Sequence, residues 1–327
     1  MEAVHTPVML KECLAYLSPI GESYEHDCFM VDATLGEGGH ACSFLQNYQS
    51  VSLLGVDADQ SIQERAKERL AHFGGRVRFF HGWFDEFFLG YSESRSPDIV
   101  LFDLGVSSYH FEKSGRGFSL YKDEKLDMRL NARLEKTACD IVNGESETAL
   151  ADLIFRGSDE RHSRRIAHAI VTRRSQKRIE TSGELARLIA SCVPQRKGEK
   201  IHPATRTFQA LRIEVNGEIQ RLKTALHAAF NVMAVGGKMA VISFHSIEDR
   251  VVKNYFRNLS KNCVCPPSVA QCICGGKPCA EILTKKPVVA SENEVRRNPP
   301  SRSAKLRVVR KIQGAPSIRA QVLEALG

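Results

Sequence analysis

The sequence lacks any apolar run long enough to cross a membrane. One of its charge-free stretches, Thr224–Gly237, contains a histidine, an asparagine and two glycines, whereas a membrane helix needs about 20 predominantly apolar residues. Glycine and proline are also scarce, at 23 and 12 of 327 residues, and hydrophobic residues make up 43%. These features argue against membrane-spanning, collagen-like and disordered classes and predict a globular protein with a substantial core.

The amino terminus also lacks the features of an export signal, because Met1–His5 is neither basic nor apolar. We therefore expect the protein to be cytoplasmic. Acidic residues are outnumbered, at 38 against 46 lysines and arginines, which gives a formal net charge of +8. Such an excess favours polyanionic partners such as nucleic acids, although the placement of the charges must decide.

Short runs of β-branched and aromatic residues follow one another early in the chain, with helical patterns such as Ser61–His72 between them. This alternation predicts β-α-β units and a parallel sheet. A fifth run, Lys238–Ser243, follows an amphipathic stretch and predicts the next strand. The fold class is therefore α/β, with a Rossmann-like doubly wound sheet. The first four predicted strands are Cys28–Ala33, Val51–Val56, Arg76–Phe80 and Asp98–Phe102.

The stretch between the fourth and fifth predicted strands is far longer than one crossover needs, which indicates an insertion. We place an inserted all-α domain at residues 135–199, between the two parts of the α/β domain at residues 1–134 and 200–327. The helical patterns that support it are Ala149–Phe155, Ser163–Arg173 and Ser182–Cys192.

The first strand leads into a glycine-rich turn, VDATLGEGGH, at residues 31–40. Glycines let backbone N–H groups approach a ligand, and a following helix start adds positive potential, so a nucleotide-like ligand is expected. Gly36, Gly38 and Ala41 also fit the dinucleotide pattern, which leaves nicotinamide or flavin open. The intervening Asp32 suits a cationic sulfonium better than a pyrophosphate, so S-adenosylmethionine is favoured over those cofactors and over a turn that binds nothing.

Two further aspartates end predicted strands. Asp57 follows the second strand and is placed to accept hydrogen bonds from ribose hydroxyls. Asp103 follows the fourth strand, at the edge of the sheet where open α/β folds bind ligands. It could orient an amine for methyl transfer and accept its proton, or it could simply cap the following turn.

Seven strings occur in order along the chain: HTPVML, DATLGEGGH, DLGVSS, RGFS, LDMR, HPATRTFQALRI and ISFHSIEDR, which begin at residues 5, 32, 103, 116, 126, 202 and 242. Together they closely resemble bacterial 16S ribosomal RNA cytosine-N4 methyltransferases, and the similarity spans nearly the whole chain. The resemblance implies a class I methyltransferase fold that uses S-adenosylmethionine to methylate the N4 amine of a cytidine in the decoding region of 16S rRNA.

Family cofactor positions carry over, residue by residue, onto matching positions of this chain. One position departs from the family pattern: where a glutamine commonly follows DLGVSS, this chain has His110, which can still donate a hydrogen bond. The cofactor positions that the resemblance implies are Gly38, Gly39, His40, Asp57, Phe84, Asp103 and His110.

Basic residues concentrate in two regions. Arg156–Arg178 holds eight of them, and Arg161, Arg164 and Arg165 share one helix face with His168. A polar arm beginning at Lys285 adds nine more up to residue 311. Basic faces are often merely solvated, but two of them beside a nucleotide-cofactor domain favour 16S rRNA as the partner, through the helical insertion and the basic C-terminal arm.

The string at residue 202 predicts a helix whose polar stripe contacts RNA. Arg206 and Arg212 could bind phosphates and Gln209 a base edge, while a purely solvated stripe is the alternative. After the fifth strand, Ser243 and His245 are expected to line the nucleobase pocket or to cap the next helix. A hydrolase triad with Asp249 is disfavoured, because no nucleophile-elbow pattern is present.

Five cysteines are scattered singly and are expected in the core, and five crowd into the loop between Cys263 and Cys279. Their spacing, C-x-C, six residues, C-x-C, four residues, C, is irregular for zinc. We therefore favour a cysteine-rich loop and assign no metal ligand, with a zinc site as the open hypothesis.

Two other functions remain open from the sequence. A nicotinamide-dependent oxidoreductase would use the same glycine loop. A non-catalytic RNA-binding ribosome-assembly factor would keep the fold without transferring a methyl group. Neither the exact nucleotide, nor the preference for free rRNA or an assembled particle, nor the oligomeric state can be read from the sequence.

Overall fold

The computed structural model describes residues 6–23, 25–193, 201–265 and 270–315. Within these ranges, no helix combines the length and the hydrophobicity that crossing a bilayer requires. The chain divides into two compact units, one of residues 1–105 and 219–327, the other of residues 106–218.

The first unit is built on an eight-stranded sheet. Its strands are β1 (Cys28–Asp32), β2 (Val51–Asp57), β3 (Val77–His81), β4 (Ile99–Asp103), β5 (Lys238–Ser243), β6 (Ala280–Ile282), β7 (Val288–Val289) and β8 (Lys305–Lys311). The order is β3-β2-β1-β4-β5-β8-β6, with β7 paired to β8. Strands β1 to β5 run parallel, and β8 runs antiparallel to β5. The predicted Rossmann-like doubly wound sheet is confirmed.

Helices cover both faces of this sheet, so its central strands read as continuous apolar runs. Phe29 and Val31 point into one core and Met30 into the other, as the two-residue period requires. The helices are α1 (Leu10–Tyr16), α2 (Gly39–Asn47), α3 (Gln60–Leu70), α4 (Phe84–Leu89), α11 (Glu218–Val232), α12 (Ser246–Ser260) and α13 (Glu292–Arg297), with 3-10 turns at Ala71–Arg76 and Pro299–Ser303.

In the described residues of the second unit, the regular elements are α-helices. Its helices are α5 (Ser108–Glu112), α6 (Ala138–Gly144), α7 (Glu147–Ser158), α8 (Ser163–Gln176), α9 (Ser182–Cys192) and α10 (Thr205–Asn216). Side chains cap two of the predicted helices, since Ser146 accepts from the N–H of Ala149 and Thr181 from that of Glu184. The predicted all-α insertion is therefore present.

The helical unit extends beyond residues 135–199 at both ends. Phe208 and Leu211 of α10 are buried in one core with Leu150 and Ile154 of α7. The two helices approach closely at Gly157, where a Cβ would lie 2.8 Å from the Cα of Ala210. An apolar helix face predicts that a helix is buried, but it does not predict against which core. The sequence analysis therefore placed α10 in the α/β domain, whereas the structure places it in the helical unit.

The arm that begins at Lys285 is more ordered than the sequence predicted. Its polar composition predicts a loop or extended arm closed by a short strand at Lys305–Val309, whereas the structure also contains β7, α13 and a 3-10 turn before that strand. The Glu294 carboxylate accepts a 2.6 Å hydrogen bond from the N–H of Met9, and the Asn298 amide donates to the carbonyl of Thr6. These contacts with the start of the chain explain the order; residues 316–327 of the predicted basic C-terminal arm lie outside the described residues.

Candidate active site

Three aspartates lie at the carboxyl edge of the sheet. Asp32, Asp57 and Asp103 are the last residues of β1, β2 and β4. In this strand order the chain leaves β1 toward one side of the sheet and β4 toward the other, and the crevice between them is where open α/β sheets bind ligands. The two predicted aspartates are thus brought together with Asp32.

Two of these carboxyl groups are held in an environment that opposes their ionisation. Burial, together with the nearby charges of Asp103 and Asp57, raises the pKa of Asp32 to about 7. Burial likewise raises the pKa of Asp103 to about 7. Desolvated carboxylates that repel one another are stabilised by a cation placed between them. The chemistry of this set therefore suits a positively charged ligand.

The glycine-rich turn after β1 ties neighbouring strand ends together. Gly36 and Gly38 adopt φ values of 53° and 74°, in the left-handed region that favours glycine. The N–H of Gly36 donates to the Asp57 carboxylate at 2.8 Å, and that of Gly38 donates to the carbonyl of Leu35. This turn holds the Asp57 carboxylate at the sheet edge.

Gly38 and Gly39 also have a packing reason to lack side chains. A Cβ on Gly38 would lie 3.0 Å from Cδ1 of Leu70, and one on Gly39 would lie 2.6 Å from Cγ of Pro7. The sequence argument attributed these glycines to ligand approach alone. The structure adds that they let the start of α2 pack closely against its neighbours.

His40 and Thr34 flank the Asp103 carboxyl group. The buried His40 side chain places its Nε2 atom 3.7 Å from Oδ2 of Asp103. The backbone N–H of Asp103 donates to the Thr34 hydroxyl at 2.6 Å, which links the ends of β4 and β1. Sequence reasoning did not identify Thr34 as part of the site, because its role depends on the pairing of two strands far apart in the chain.

Phe84 begins α4, just after β3. Its ring packs edge-on against Phe102, with 5.7 Å between ring centroids. The preceding turn is fixed because the N–H of Gly82 donates to the carbonyl of Asp57 at 3.0 Å. Phe84 therefore lies just after the carboxyl end of β3, and its cofactor role stays a prediction.

Phe244 lies against the turn that follows Asp103. A Cβ on Gly105 would lie 2.8 Å from Cε2 of Phe244 and 3.4 Å from Oδ1 of Asp103. Glycine at position 105 thus allows this aromatic ring to come close to the carboxyl group. An aromatic face beside an acceptor is an arrangement that can stack a base and orient its amine.

The structure gives Ser243 and His245 structural roles. The Ser243 hydroxyl is buried and donates to the carbonyl of Lys305 on β8. His245 caps α12: its ring accepts from the N–H of Glu248, and its Nε2 atom lies 2.9 Å from the Glu248 carboxylate. Of the two roles that the sequence left open, helix capping applies to His245, and Ser243 instead hydrogen-bonds β8.

The excluded hydrolase triad does not assemble. Asp249 forms a bidentate ion pair with Arg307: Nε donates to Oδ1 at 2.7 Å and Nη2 donates to Oδ2 at 3.2 Å. Ser243, His245 and Asp249 therefore have three different partners. Acyl-transfer chemistry has no nucleophile–base pair here.

In the helical unit, two predicted RNA contacts are engaged with the protein itself. Arg212 pairs with both carboxylate oxygens of Glu218 at 2.9 Å. The Gln209 amide donates to the carbonyl of Gly157 at 3.1 Å. Their spacing on α10 predicted a polar stripe that faces outward to contact RNA. In the structure, these two side chains bind protein groups near the ends of α10 and α7.

An exposed basic face does form where α7 ends and α8 begins. Arg161, Arg164 and Arg165 are exposed, and in the described part of the chain no carboxylate lies within 4.0 Å of their guanidinium groups. The Arg206 side chain is 56% exposed, and its guanidinium lies 3.6 Å from the carboxylate of Glu160. Phe155, on α7, is 53% exposed. Exposed cations and exposed aromatic rings are both features of RNA-binding surfaces.

Other basic residues of the predicted clusters point inward. Arg173 pairs with Glu184 at 2.6 Å, and Arg174 donates to backbone carbonyls of α6 and the following turn. In the arm, Lys311 donates to three carbonyls at the end of α11. These cations stabilise the fold, so the surface charge is more localised than the sequence suggested.

His110, the position that departs from the family pattern, belongs to the helical unit. Its side chain is buried, and its ring lies 5.2 Å from that of Phe118. Its assignment to the cofactor remains a prediction.

Comparisons with known proteins agree on one family. Residues 2–312 match the MraW methylase family. The chain is 55% identical to the ribosomal RNA small subunit methyltransferase H of Treponema denticola, over 95% of this chain and 98% of the relative. The proteins of the same name from Borrelia hermsii and Treponema pallidum are 45% and 41% identical, over 94% of this chain and 98% and 92% of their own.

Proposed function

Since the chain belongs to the MraW methylase family, we propose that it transfers the methyl group of S-adenosylmethionine to the N4 amine of a cytidine in the decoding region of 16S rRNA. The observation that carries this proposal is the set of carboxyl groups at the switch point of the sheet, two of them with pKa values near 7. The relatives named as small-subunit rRNA methyltransferases support the substrate.

The residues at the sheet edge fit S-adenosylmethionine, which would supply an electrophilic methyl group on a positively charged sulfur. Asp57 ends β2 and would accept hydrogen bonds from ribose hydroxyls, since a carboxylate has lone pairs beyond those used by Gly36. Phe84 would pack against the adenine. Asp32 and Asp103 would stabilise the positive charge of the bound molecule.

Asp103 would also orient the target amine and take its proton. Bound S-adenosylmethionine would supply the methyl group, and N4 would have to give up one proton on gaining it, so an acceptor beside the amine would be required. A carboxylate whose pKa lies near 7 is a better base near neutral pH than an ordinary aspartate. Phe244, beside the Asp103 turn, would hold the extruded cytosine ring.

The helical unit would bind the rRNA. Its exposed cations at the start of α8, Arg161, Arg164 and Arg165, form a positive surface. Phosphate contacts of this kind position a nucleic acid without reading its sequence. The enzyme would act in the cytoplasm, on rRNA within the small ribosomal subunit.

Mass spectrometry of 16S rRNA from cells with and without this protein tests the proposal. We expect one N4-methylcytidine in the decoding region to disappear when the protein is absent and to return when it is restored. Purified protein should transfer labelled methyl groups to small-subunit particles or rRNA. Tight rRNA binding without methyl transfer would instead identify an assembly factor, and stabilisation by a nicotinamide nucleotide would identify an oxidoreductase.

A further inference from the structure

We infer that Cys263, Cys265, Cys272 and Cys274 form a structural zinc site. The loop between α12 and β6 brings these four sulfur atoms within 4.8 Å of one another. The two C-x-C pairs thus meet in space, although their spacing in the sequence is not that of common zinc motifs.

The distances between the sulfur atoms match those of a metal tetrathiolate. Zinc–sulfur bonds of about 2.3 Å in a tetrahedron place the sulfur atoms about 3.8 Å apart. Here Cys272 lies 3.6 Å from Cys263 and 3.5 Å from Cys274, and Cys263 lies 3.7 Å from Cys274. All four thiols are free. Four converging thiols are weak hydrogen-bonding partners for one another, whereas a soft cation would bind them all.

Backbone geometry also favours thiolates at this position. The N–H of Val264 donates to the sulfur of Cys274 at 3.4 Å. The chain then turns sharply through Gly275 and Gly276, whose φ values are 84° and 62°. Amide donors directed at a sulfur atom stabilise its negative charge, as outer contacts of metal ligands do.

The fifth cysteine of the loop is not part of the site. Cys279 is fully buried, and its sulfur lies near the carbonyl of Gly314. Its backbone joins α12 to β8, since its N–H donates to Leu259 and its carbonyl accepts from Ile312. Cys279 therefore provides a matched control within the same loop.

A metal would add to the cohesion of this loop. Val264 is buried, but Ile273 is 51% exposed between two of the proposed ligands. Four protein ligands would close the coordination sphere, which is the pattern of structural rather than catalytic zinc. The bound ion would stabilise the loop that leads into the edge strand β6.

Metal analysis of the full-length protein, purified with a non-chelating reductant, tests this inference. We expect about one zinc per chain in the wild type and about one in Cys279→Ala. The double variant Cys263→Ser/Cys272→Ser, which changes two exposed side chains, should lose the zinc. Cobalt added to metal-free wild-type protein should give the absorption of a tetrahedral tetrathiolate.

Several results would overturn the inference. These are wild-type protein without stoichiometric zinc and without the cobalt spectrum, a disulfide among these cysteines under the same conditions, or a double variant that keeps its zinc. None of the readouts depends on methyl transfer, so the metal site and the proposed function can fail separately.

Discussion

At the scale of single residues, Asp103 is where the chemistry of the proposed reaction is concentrated. Replacing it with asparagine keeps the shape of the side chain but removes the proton acceptor. We expect the methyl-transfer rate of Asp103→Asn to fall by about 10² to 10⁴, the usual contribution of a positioned general base. Single-turnover transfer of labelled methyl to small-subunit particles measures this loss.

The matched control for Asp103 is Asp98, which precedes the other end of β4. Its carboxylate accepts from the N–H of Phe29 and pairs with Arg95, away from the carboxyl edge. Asp98→Asn should therefore keep a near-normal rate. Calorimetry separates the two roles of Asp103: unchanged cofactor affinity assigns it to the amine, and weakened affinity assigns it to the cofactor. A near-normal rate of methyl transfer in Asp103→Asn would contradict both proposed roles of Asp103.

Residue identity alone could not distinguish site residues from structural ones. Asp57 and Asp103 were predicted because each ends a buried strand, and strand ends meet at one edge of a parallel sheet. The ion pair of Arg212 was not foreseen because its partner, Glu218, comes within reach only after α10 ends at Gly217, which has a φ of 62°. Thr34 was not identified because its hydroxyl contacts Asp103 through strand pairing.

At the scale of elements, the strands were predictable and the arm was not. The fifth strand was predicted at Lys238–Ser243 and has those bounds, because a strand buried on both faces must be apolar throughout. The helix α13 lies in a polar stretch that no periodicity marks. It is held by its Ser291 cap and by the contact of Glu294 with Met9, and the second of these joins residues that are far apart in the sequence.

The start of α8 is the element on which the proposed rRNA contact depends. Changing Arg161, Arg164 and Arg165 together to glutamine should weaken rRNA binding and leave cofactor affinity unchanged. If all three contact phosphates, the slope of log affinity against log salt concentration should become less steep by about 2. Filter binding of rRNA over a range of salt concentrations measures this slope.

The matched control uses Arg173 and Arg174 of the same helix, which are engaged with Glu184 and with backbone carbonyls. Their replacement should lower the melting temperature and leave the salt slope of folded protein unchanged. An unaltered slope in the triple variant would mean that this face is only solvated.

At the scale of the whole molecule, the net charge of +8 does not act as one uniform field. Arg307 and Lys311 are buried in the sheet unit, and Arg212 is paired within the helical unit. The cations that remain exposed at α8 face solvent together, and the acidic residues at the sheet edge are desolvated. The charge pattern thus separates a region suited to phosphates from one suited to a cation.

The acidic set makes the stability of the ligand-free protein depend on pH. Asp32 and Asp103 have pKa values near 7 when folded and near 3.8 ordinarily. Between these values the folded state binds more protons than the unfolded chain, so these groups lower the free energy of unfolding as pH rises from about 4 to 7. Above pH 7 their contribution is constant.

We therefore expect the melting temperature of Asp32→Asn to fall less than that of wild-type protein between pH 5 and pH 7.5, measured without ligand. Adding S-adenosylmethionine should have the opposite pH dependence, because a cation favours the ionised carboxylates and binding releases protons. The ligand-induced rise in melting temperature should thus be larger at pH 7.5 than at pH 6 in wild-type protein and less pH-dependent in Asp32→Asn. Equal pH profiles for the two proteins would mean that this carboxyl group is not the one that titrates.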